Sequence, residues 1–456
     1  VFDQLQRVHF IGIGGIGMSA IAELMLTKKI TISGSDLELT PITEHLQARG
    51  ATIYEGHAYD QVPDCDAVVY TAAIPGDNPE LCAARDKNIT LIPRAKMLGM
   101  VMEKIETSIS IAGTHGKTTT TSMVGTLLIE AGLEPTLIVG GVVTNLDVNA
   151  VLGAGRVVVA EADEYDRSFL QLSQTYSVIT NIELDHMDCY RDADDLCGAF
   201  AQFANATSGQ GCVIACLDHP MVHDTLPQIQ GKVLTYGVHP DADYRISAIR
   251  YEALQTHFSV QHRDKELGEI TLQVPGEHNA TNALAAVVLG IEMGLSFPVI
   301  QRGLAGFRGV QRRFEIKGHF QDILVVDDYA HHPTEITATL IAAKNAYDRR
   351  LVAIFQPHLY SRTRDLYKDF GHALTHADVV VLTGIYPARE APIPGITASL
   401  ISDVAREAGH PDVHWVQDRW DLLTWLDTNG LPGDLVLTLG AGNIFQVGEA
   451  YVKSLS

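Results

Sequence analysis

The chain is short of the features that would place it outside the ordinary globular class. It has no run of the roughly 18 consecutive apolar residues needed to cross a bilayer. Its first residues, Val1 to Arg7, show neither a basic n-region nor a cleavage-site pattern. The expected setting is cytoplasmic, with no membrane partner. Cysteine is scarce: Cys65, Cys82, Cys189, Cys197, Cys212 and Cys216 are too few for a disulfide scaffold in 456 residues and read as reduced thiols. Basic residues are outnumbered, 33 Lys and Arg against 55 Asp and Glu, and the net charge of −22 argues against nonspecific nucleic-acid or anionic-lipid binding. An acidic chain acting on anionic substrates must offset its own field locally, with helix N-termini, a few Lys or Arg and divalent cations. Low-complexity blocks and solenoid repeats are also missing.

What is present is a 46% apolar chain long enough for two to four domains, at about 100–200 residues each. Short β-rich runs alternate with helical patterns at 8–11, 30–33, 52–54, 67–71 and 90–92. A second series starts at 108–112, continues through 157–160 and 178–181 and ends in a helical stretch at 278–294; 242–274 reads as inserted alternating strands. A third has strands at 323–326, 351–355, 379–382 and 435–439, with a helix over 333–346. This βαβ logic predicts an α/β protein of three domains, 1–105, 106–308 and 309–456. Cys212, Cys216, His219 and His223 imitate a zinc pattern, but the Cys-to-His gap is too short for a finger and 212–216 looks like a strand, so no zinc is expected.

The strongest chemical signal is Gly113-Thr114-His115-Gly116-Lys117-Thr118-Thr119, set between an apolar strand and a helical pattern. Backbone N–H groups in such a turn converge on a phosphate at the helix N-terminus, while Lys117 reaches the β/γ region and Thr118 offers a hydroxyl to Mg²⁺. The strict pattern would put another Gly where Ile111 stands, so this is a shortened phosphate loop for ATP. The following strands end in Glu161-Ala-Asp163-Glu164 and in Asn181-Ile-Glu-Leu-Asp185-His186. In an open parallel sheet these ends face the same crevice as Lys117. Acids beside phosphates imply a metal: Glu161 with Thr118 for a first Mg²⁺, His186 for a second ion, with Mn²⁺ an acceptable substitute.

Near the N-terminus, Gly12-Ile-Gly14-Gly15-Ile-Gly17 opens a helix and is followed by Asp36 at the end of the next strand. The glycines allow a diphosphate to approach the helix, and Asp36 is placed for a ribose hydroxyl. The spacing is that of a dinucleotide site, and it suits the pyrophosphate of a UDP-sugar equally well.

Together these motifs make the chain resemble the Mur ligase family over essentially its whole length. The resemblance rests on the two glycine loops, Thr71-Ala-Ala73-Ile74, Glu161-Ala-Asp-Glu164, Thr180-Asn-Ile-Glu-Leu-Asp-His186, Gly276-Glu-His-Asn279 with Asn282, Arg312-Arg313-Phe314, Asp327-Asp328-Tyr329-Ala-His331-His332-Pro333, Gln356-Pro-His358-Leu-Tyr-Ser-Arg362 and Gly440-Ala-Gly-Asn443. It implies a Rossmann-like parallel sheet binding the UDP-sugar, a central P-loop ATPase-like domain, and a C-terminal Rossmann-like domain adding ATP and amino-acid contacts. The alanine-adding branch is implied most strongly: L-alanine joined to the lactyl carboxylate of UDP-N-acetylmuramate through an acyl phosphate, with ATP and Mg²⁺. A tripeptide-adding recycling ligase of the same family is the alternative. The resemblance further implies UDP-sugar contacts from Met18, Ser19, Ala73, His115 and Glu161 beside the first loop, and adenine contacts from Asn279 and Asn282. Arg313 and Asp328 would meet ATP phosphates and ribose; Tyr329, His331, His358 and Arg362 would line the amino-acid side. Lys117, Glu161, His186 and Arg313 would carry the chemistry, in a monomer or weak homodimer.

Two departures stand out. No Lys occurs between Arg167 and Lys232, where other family members carry a carbamylated Lys that aids the metal. Lys29 occupies a position where the branch often ends a helix with Gly, at a cost of about 1 kcal/mol if the left-handed geometry is kept.

Overall fold

The computed structural model describes residues 4–71, 74–143, 148–151, 153, 156–185, 189–388 and 390–455. Its strands fall into three sheets. The first is wholly parallel and runs β3-β2-β1-β4-β5, from β1 (Arg7–Ile11), β2 (Thr31–Asp36), β3 (Thr52–Glu55), β4 (Ala67–Tyr70) and β5 (Thr90–Pro93). The second has ten strands in the order β15-β14-β13-β12-β11-β10-β6-β9-β7-β8. They are β6 (Thr107–Ala112), β7 (Thr136–Val143), β8 (Val148–Val151), β9 (Val157–Glu161), β10 (Tyr176–Ile179), β11 (Val213–Cys216), β12 (Val233–Gly237), β13 (Tyr244–Glu252), β14 (Gln255–His262) and β15 (Lys265–Leu272). The third runs β16-β17-β21-β18-β19-β20, from β16 (Glu315–Phe320), β17 (Ile323–Asp328), β18 (Arg350–Phe355), β19 (Val379–Leu382), β20 (Val413–Trp415) and β21 (Asp434–Leu439).

The parallel strands read as unbroken β-branched runs because helices cover both faces. Val157 to Ala160 are buried, as are all residues of β17, β19 and β21. The strand Val213–Cys216 occupies the place of the false zinc pattern, with Cys212 and Cys216 buried. The helix at 333–346 is found over Pro333–Ala346 and the one at 278–294 over Glu277–Glu292.

The chain packs as two compact units. One holds 1–246, 260–268 and 281–304; the other holds 247–259, 269–280 and 305–456. The three sheets are those of the expected three-domain α/β architecture, and the first sheet and most of the second share one unit because a single apolar core runs through both, from Leu5 and Phe10 to Phe200 and Val222. Within it the helix Ile16–Thr27 packs on β7, and the helix Arg94–Met102 on the turns Tyr165–Gln171. In the other unit, the segment carrying Gly276 and His278 lies against the helix Pro333–Ala346: a Cβ on Gly276 would stand 3.0 Å from Ala342 Cβ.

The helix Ile16–Thr27 ends as expected at a left-handed residue. Lys29 has φ 63°, its N–H donates to Leu26 O at 2.9 Å, and Ile30 N–H donates to Met25 O at 3.1 Å. A side chain there is strained while Gly is not, so Lys29→Gly should raise unfolding stability by up to about 1 kcal/mol; urea titrations of both proteins measure the difference.

Candidate active site

In the first domain the glycine loop is held by the end of β2. Gly12 and Ile13 donate to Ser35 O at 2.8 and 2.9 Å. Gly14 N–H donates to Asp36 Oδ2 at 2.7 Å and Leu37 N–H to Asp36 Oδ1 at 2.8 Å. Asp36, expected on a ribose, thus shapes the loop through both carboxylate oxygens. Gly15 is the N-cap of the helix that carries Gly17, Met18 and Ser19, the last two buried. Ala73 lies outside the described residues.

The central loop is latched to the end of β10. Asn181 Oδ1 accepts His115 N–H at 2.8 Å, while Asn181 Nδ2 and Thr180 Oγ1 donate to His115 O at 3.0 and 2.6 Å. Thr114 N–H donates to Asn181 O at 3.2 Å, and Glu183 N–H to Thr114 Oγ1 at 2.9 Å. So tight a seat leaves no room at Gly113, whose φ is 142° and whose Cβ would fall 1.9 Å from Thr180 Oγ1. Gly116, with φ 81°, caps the helix Lys117–Glu130 and lies against the Asn282 amide. Thr118 is on the first turn of that helix, and Thr119 is buried.

Lys117 Nζ, largely buried, donates to Gly113 O at 2.7 Å, Thr114 O at 3.2 Å and Glu164 Oε2 at 2.8 Å. Burial disfavours the ammonium, but the charges of Glu164, Asp163 and Glu161 outweigh it and raise the Lys117 pKa. Burial lifts Glu164 above the usual carboxylate range against the pull of Lys117. The three donations from Nζ are those of an ammonium paired with a carboxylate. Tyr190 braces the pair: its hydroxyl donates to Glu164 O at 2.6 Å, under the Arg167 guanidinium. On the other side of the loop Glu183 faces two imidazoles, His115 Nε2 at 3.5 Å and His219 Nε2 at 3.2 Å.

Glu161 closes β9. Its Oε1 accepts Gly140 N–H at 2.8 Å, and a Cβ on Gly140 would come within 2.7 Å of its Oε2. Glu161 acts by its charge on Lys117, the first residue of the helix that carries Thr118; carboxylate and hydroxyl oxygens are ligands of the kind Mg²⁺ takes. His186, expected on a second ion, lies outside the described residues.

In the third domain the loops after β17, β18 and β21 gather at the carboxyl ends of adjacent strands. Buried Asp328 accepts the N–H groups of Phe314 and Ala330, both at 2.8 Å. Burial pushes its carboxyl up to about 6 against the pull of Arg313. Arg313 faces Glu335 at 3.4 Å and stacks over Tyr329, while Arg312 is tied to Asp327 at 3.0 Å. His278 is pushed down to about 4 by burial and then by the Arg313 charge. Tyr329, His331, His358 and Tyr386 form a chain of ring contacts, with centroids 5.2, 6.0 and 5.7 Å apart. Arg362 is buried on the helix Tyr360–Leu374. Asn279 and Asn282 are spaced three apart on the helix Glu277–Glu292, and Asn279 Nδ2 donates to Pro275 O at 2.6 Å.

Sequence reasoning thus found the loops but missed Thr180, Glu164, Tyr190 and His219. Glu164 lies within the Glu161–Glu164 motif and His219 within the Cys212–His223 spacing, but neither spacing points to Lys117 or to Glu183 as the partner.

Family models match three stretches: "Mur ligase family, catalytic domain" at 7–105, "Mur ligase middle domain" at 111–290 and "Mur ligase, glutamate ligase domain" at 312–442. The UDP-N-acetylmuramate--L-alanine ligase of Geotalea uraniireducens is 47% identical over 455 residues, covering 100% of this chain and 99% of the relative. That of Salinibacter ruber is 49% identical, covering 99% and 95%. Among solved structures, the UDP-N-acetylmuramate-alanine ligase of Thermotoga maritima matches with TM-score 0.81 and 30% identity over 99% of both chains. A murein peptide ligase from Psychrobacter arcticus matches with TM-score 0.69 and 25% identity, covering 99% and 98%.

Two outcomes are expected. Gly113→Ala should weaken ATP-analogue binding by at least about a hundredfold, since seating a Cβ there requires the loop to leave its latch; nucleotide titration of the folded variant measures it. Asp328 titrates near 6 when folded, against about 3.9 unfolded. Its stabilising contribution is then full below about pH 4 and lost as pH rises through 6, a swing of about 3 kcal/mol. The stability of the wild type minus that of Asp328→Asn should fall by that amount between pH 4 and 7 in denaturant titrations.

Proposed function

The chain belongs to the Mur ligase family, and from that premise we propose that it joins L-alanine to the lactyl carboxylate of UDP-N-acetylmuramate, converting ATP to ADP and phosphate. The observation that carries this reading is end-to-end similarity, at 47% identity, to a relative named for that reaction. The glycine loop at 12–17 takes the UDP diphosphate, Met18, Ser19 and Ala73 contribute further contacts to the UDP-sugar, and Asp36 takes the nucleoside. The loop at 113–119 takes the ATP phosphates. Asn279 and Asn282 serve adenine, Arg313 and Asp328 serve phosphate and ribose, and Tyr329, His331, His358 and Arg362 serve the amino acid.

A carboxylate is a poor acyl donor because its leaving group would be oxide. Transfer of the γ-phosphoryl group to a lactyl oxygen turns that oxygen into a phosphate leaving group, and the alanine amine then forms the amide through a tetrahedral intermediate. Lys117 neutralises charge gathering on the transferred group. To do so, Nζ must leave Glu164 for phosphate, an exchange of one anionic partner for another that keeps the ammonium paired. Thr118 and Glu161 would hold one Mg²⁺, and His186 a second ion, supplying further charge neutralisation. The attacking amine must lose a proton, a role for which His186, Glu183, Asp185 or a phosphate oxygen has the required chemistry.

Phosphate release should be measured with ATP, Mg²⁺ and UDP-N-acetylmuramate plus alanine, glutamate or the stem tripeptide, each supplied singly, with product mass recorded. Alanine alone should give turnover and an amide product; release only with the tripeptide would identify the recycling reaction instead. Lys117→Ala should lower ADP formation by at least about 10²–10³-fold while UDP-sugar binding persists. Glu161→Ala should raise the Mg²⁺ concentration needed for half-maximal rate.

A further inference from the structure

A cluster of ionisable side chains lies apart from the ATP machinery, inside the first domain. Glu80, near the start of the helix Pro79–Asp86, is fully buried. Its Oε1 accepts from His9 Nε2 at 3.1 Å; its Oε2 accepts from the Ser35 hydroxyl at 2.6 Å and from His57 Nδ1 at 2.7 Å. His9 Nδ1 in turn accepts the Ser33 hydroxyl at 2.9 Å. His9 comes from β1, Ser33 and Ser35 from β2, and His57 follows β3, so three segments converge on a carboxylate carried by a fourth. Burial alone would push the Glu80 carboxyl up, but the bonds from His9 and Ser35 outweigh it and hold it below its ordinary range. The positive end of the helix, capped by Asn78, adds to this. A buried carboxylate is costly to retain where an apolar side chain would pack as well, which directs attention to what its partners touch.

Ser35 is the link. Its hydroxyl is tied to Glu80, and its carbonyl receives the N–H groups of Gly12 and Ile13. The next residue, Asp36, holds Gly14 N–H. Three bonds that shape the glycine loop therefore spring from two adjacent residues, one of them anchored through its side chain. We propose that Glu80 is a positioning residue for UDP-sugar binding, acting through Ser35 to hold the backbone of the 12–15 loop in its anion-accepting form. This rests on the reading of that loop as the UDP-sugar site.

Glu80→Gln tests it with almost no change of shape. Each carboxylate oxygen faces a donor, so an amide must turn its NH₂ toward one of them, and the network breaks on one side. Calorimetric titration should show binding of UDP-N-acetylmuramate, and of UDP, weakened about tenfold. Affinity for an ATP analogue, and kcat at saturating substrates, should stay within about twofold of wild type. Ser35→Ala should shift the same affinity in the same direction and carries the test if Glu80→Gln does not fold. Unchanged UDP-sugar affinity, or equal loss of UDP-sugar and ATP-analogue binding, would overturn the proposal. Failure of the wild type itself to bind UDP-N-acetylmuramate would remove the reading of the loop beneath it, a separate outcome seen in the control titration.

Discussion

A phosphate loop works only if its backbone amides stay aimed at one point, and in this chain that aim is enforced by contact with the end of a neighbouring strand. Thr180 and Asn181 bond to both the N–H and the carbonyl of His115, so the turn is clamped on each side. Such an approach is possible only because residue 113 has no side chain. The position of Lys117, the start of the helix behind it and the line of sight to Glu161 all follow from that seat. The latch fixes the backbone in advance, so that on arrival of a triphosphate the rearrangement is confined to the Lys117 side chain, which gives up Glu164 for phosphate.

Charge is handled by pairing throughout. Lys117 with Glu164, Arg312 with Asp327 and Arg313 with Glu335 each put a cation beside an internal acid. In a chain with net charge −22 these cations face no shortage of carboxylates. A phosphate therefore competes with a carboxylate of the protein rather than with water, which favours ligands that bring more than one negative charge.

Much of this was legible in the residues. Parallel strands announced themselves as runs such as Val157 to Ala160, and Pro333 marked the start of its helix. Strands β7, β8, β12, β16 and β20 were not foreseen, and the last two show why. β16 is half exposed and antiparallel at an edge, and β20 has three residues, so neither leaves an apolar run to read. The shared core of the first two sheets was hidden too, because a helix face does not state which of two sheets it covers. In the site, motif spacing located Gly113, Lys117 and Glu161. It could not reveal Thr180 as a latch or Glu164 as a counter-ion, because those roles come from distances between segments far apart in sequence. Cys216 and His219 showed the converse: their spacing in sequence does not reveal that one lies inside a strand and the other faces Glu183.

The third sheet carries its latest strand in its middle. β21 lies between β17 and β18, hydrogen-bonded to both in parallel, although about 80 residues separate it from β18. While the polypeptide is being synthesised, β17 and β18 have no mutual edge to close on and must wait for the segment that joins them. Until Asp434–Leu439 leaves the ribosome, the edges of β17 and β18 that it joins keep their backbone N–H and C=O groups open to pairing with other chains.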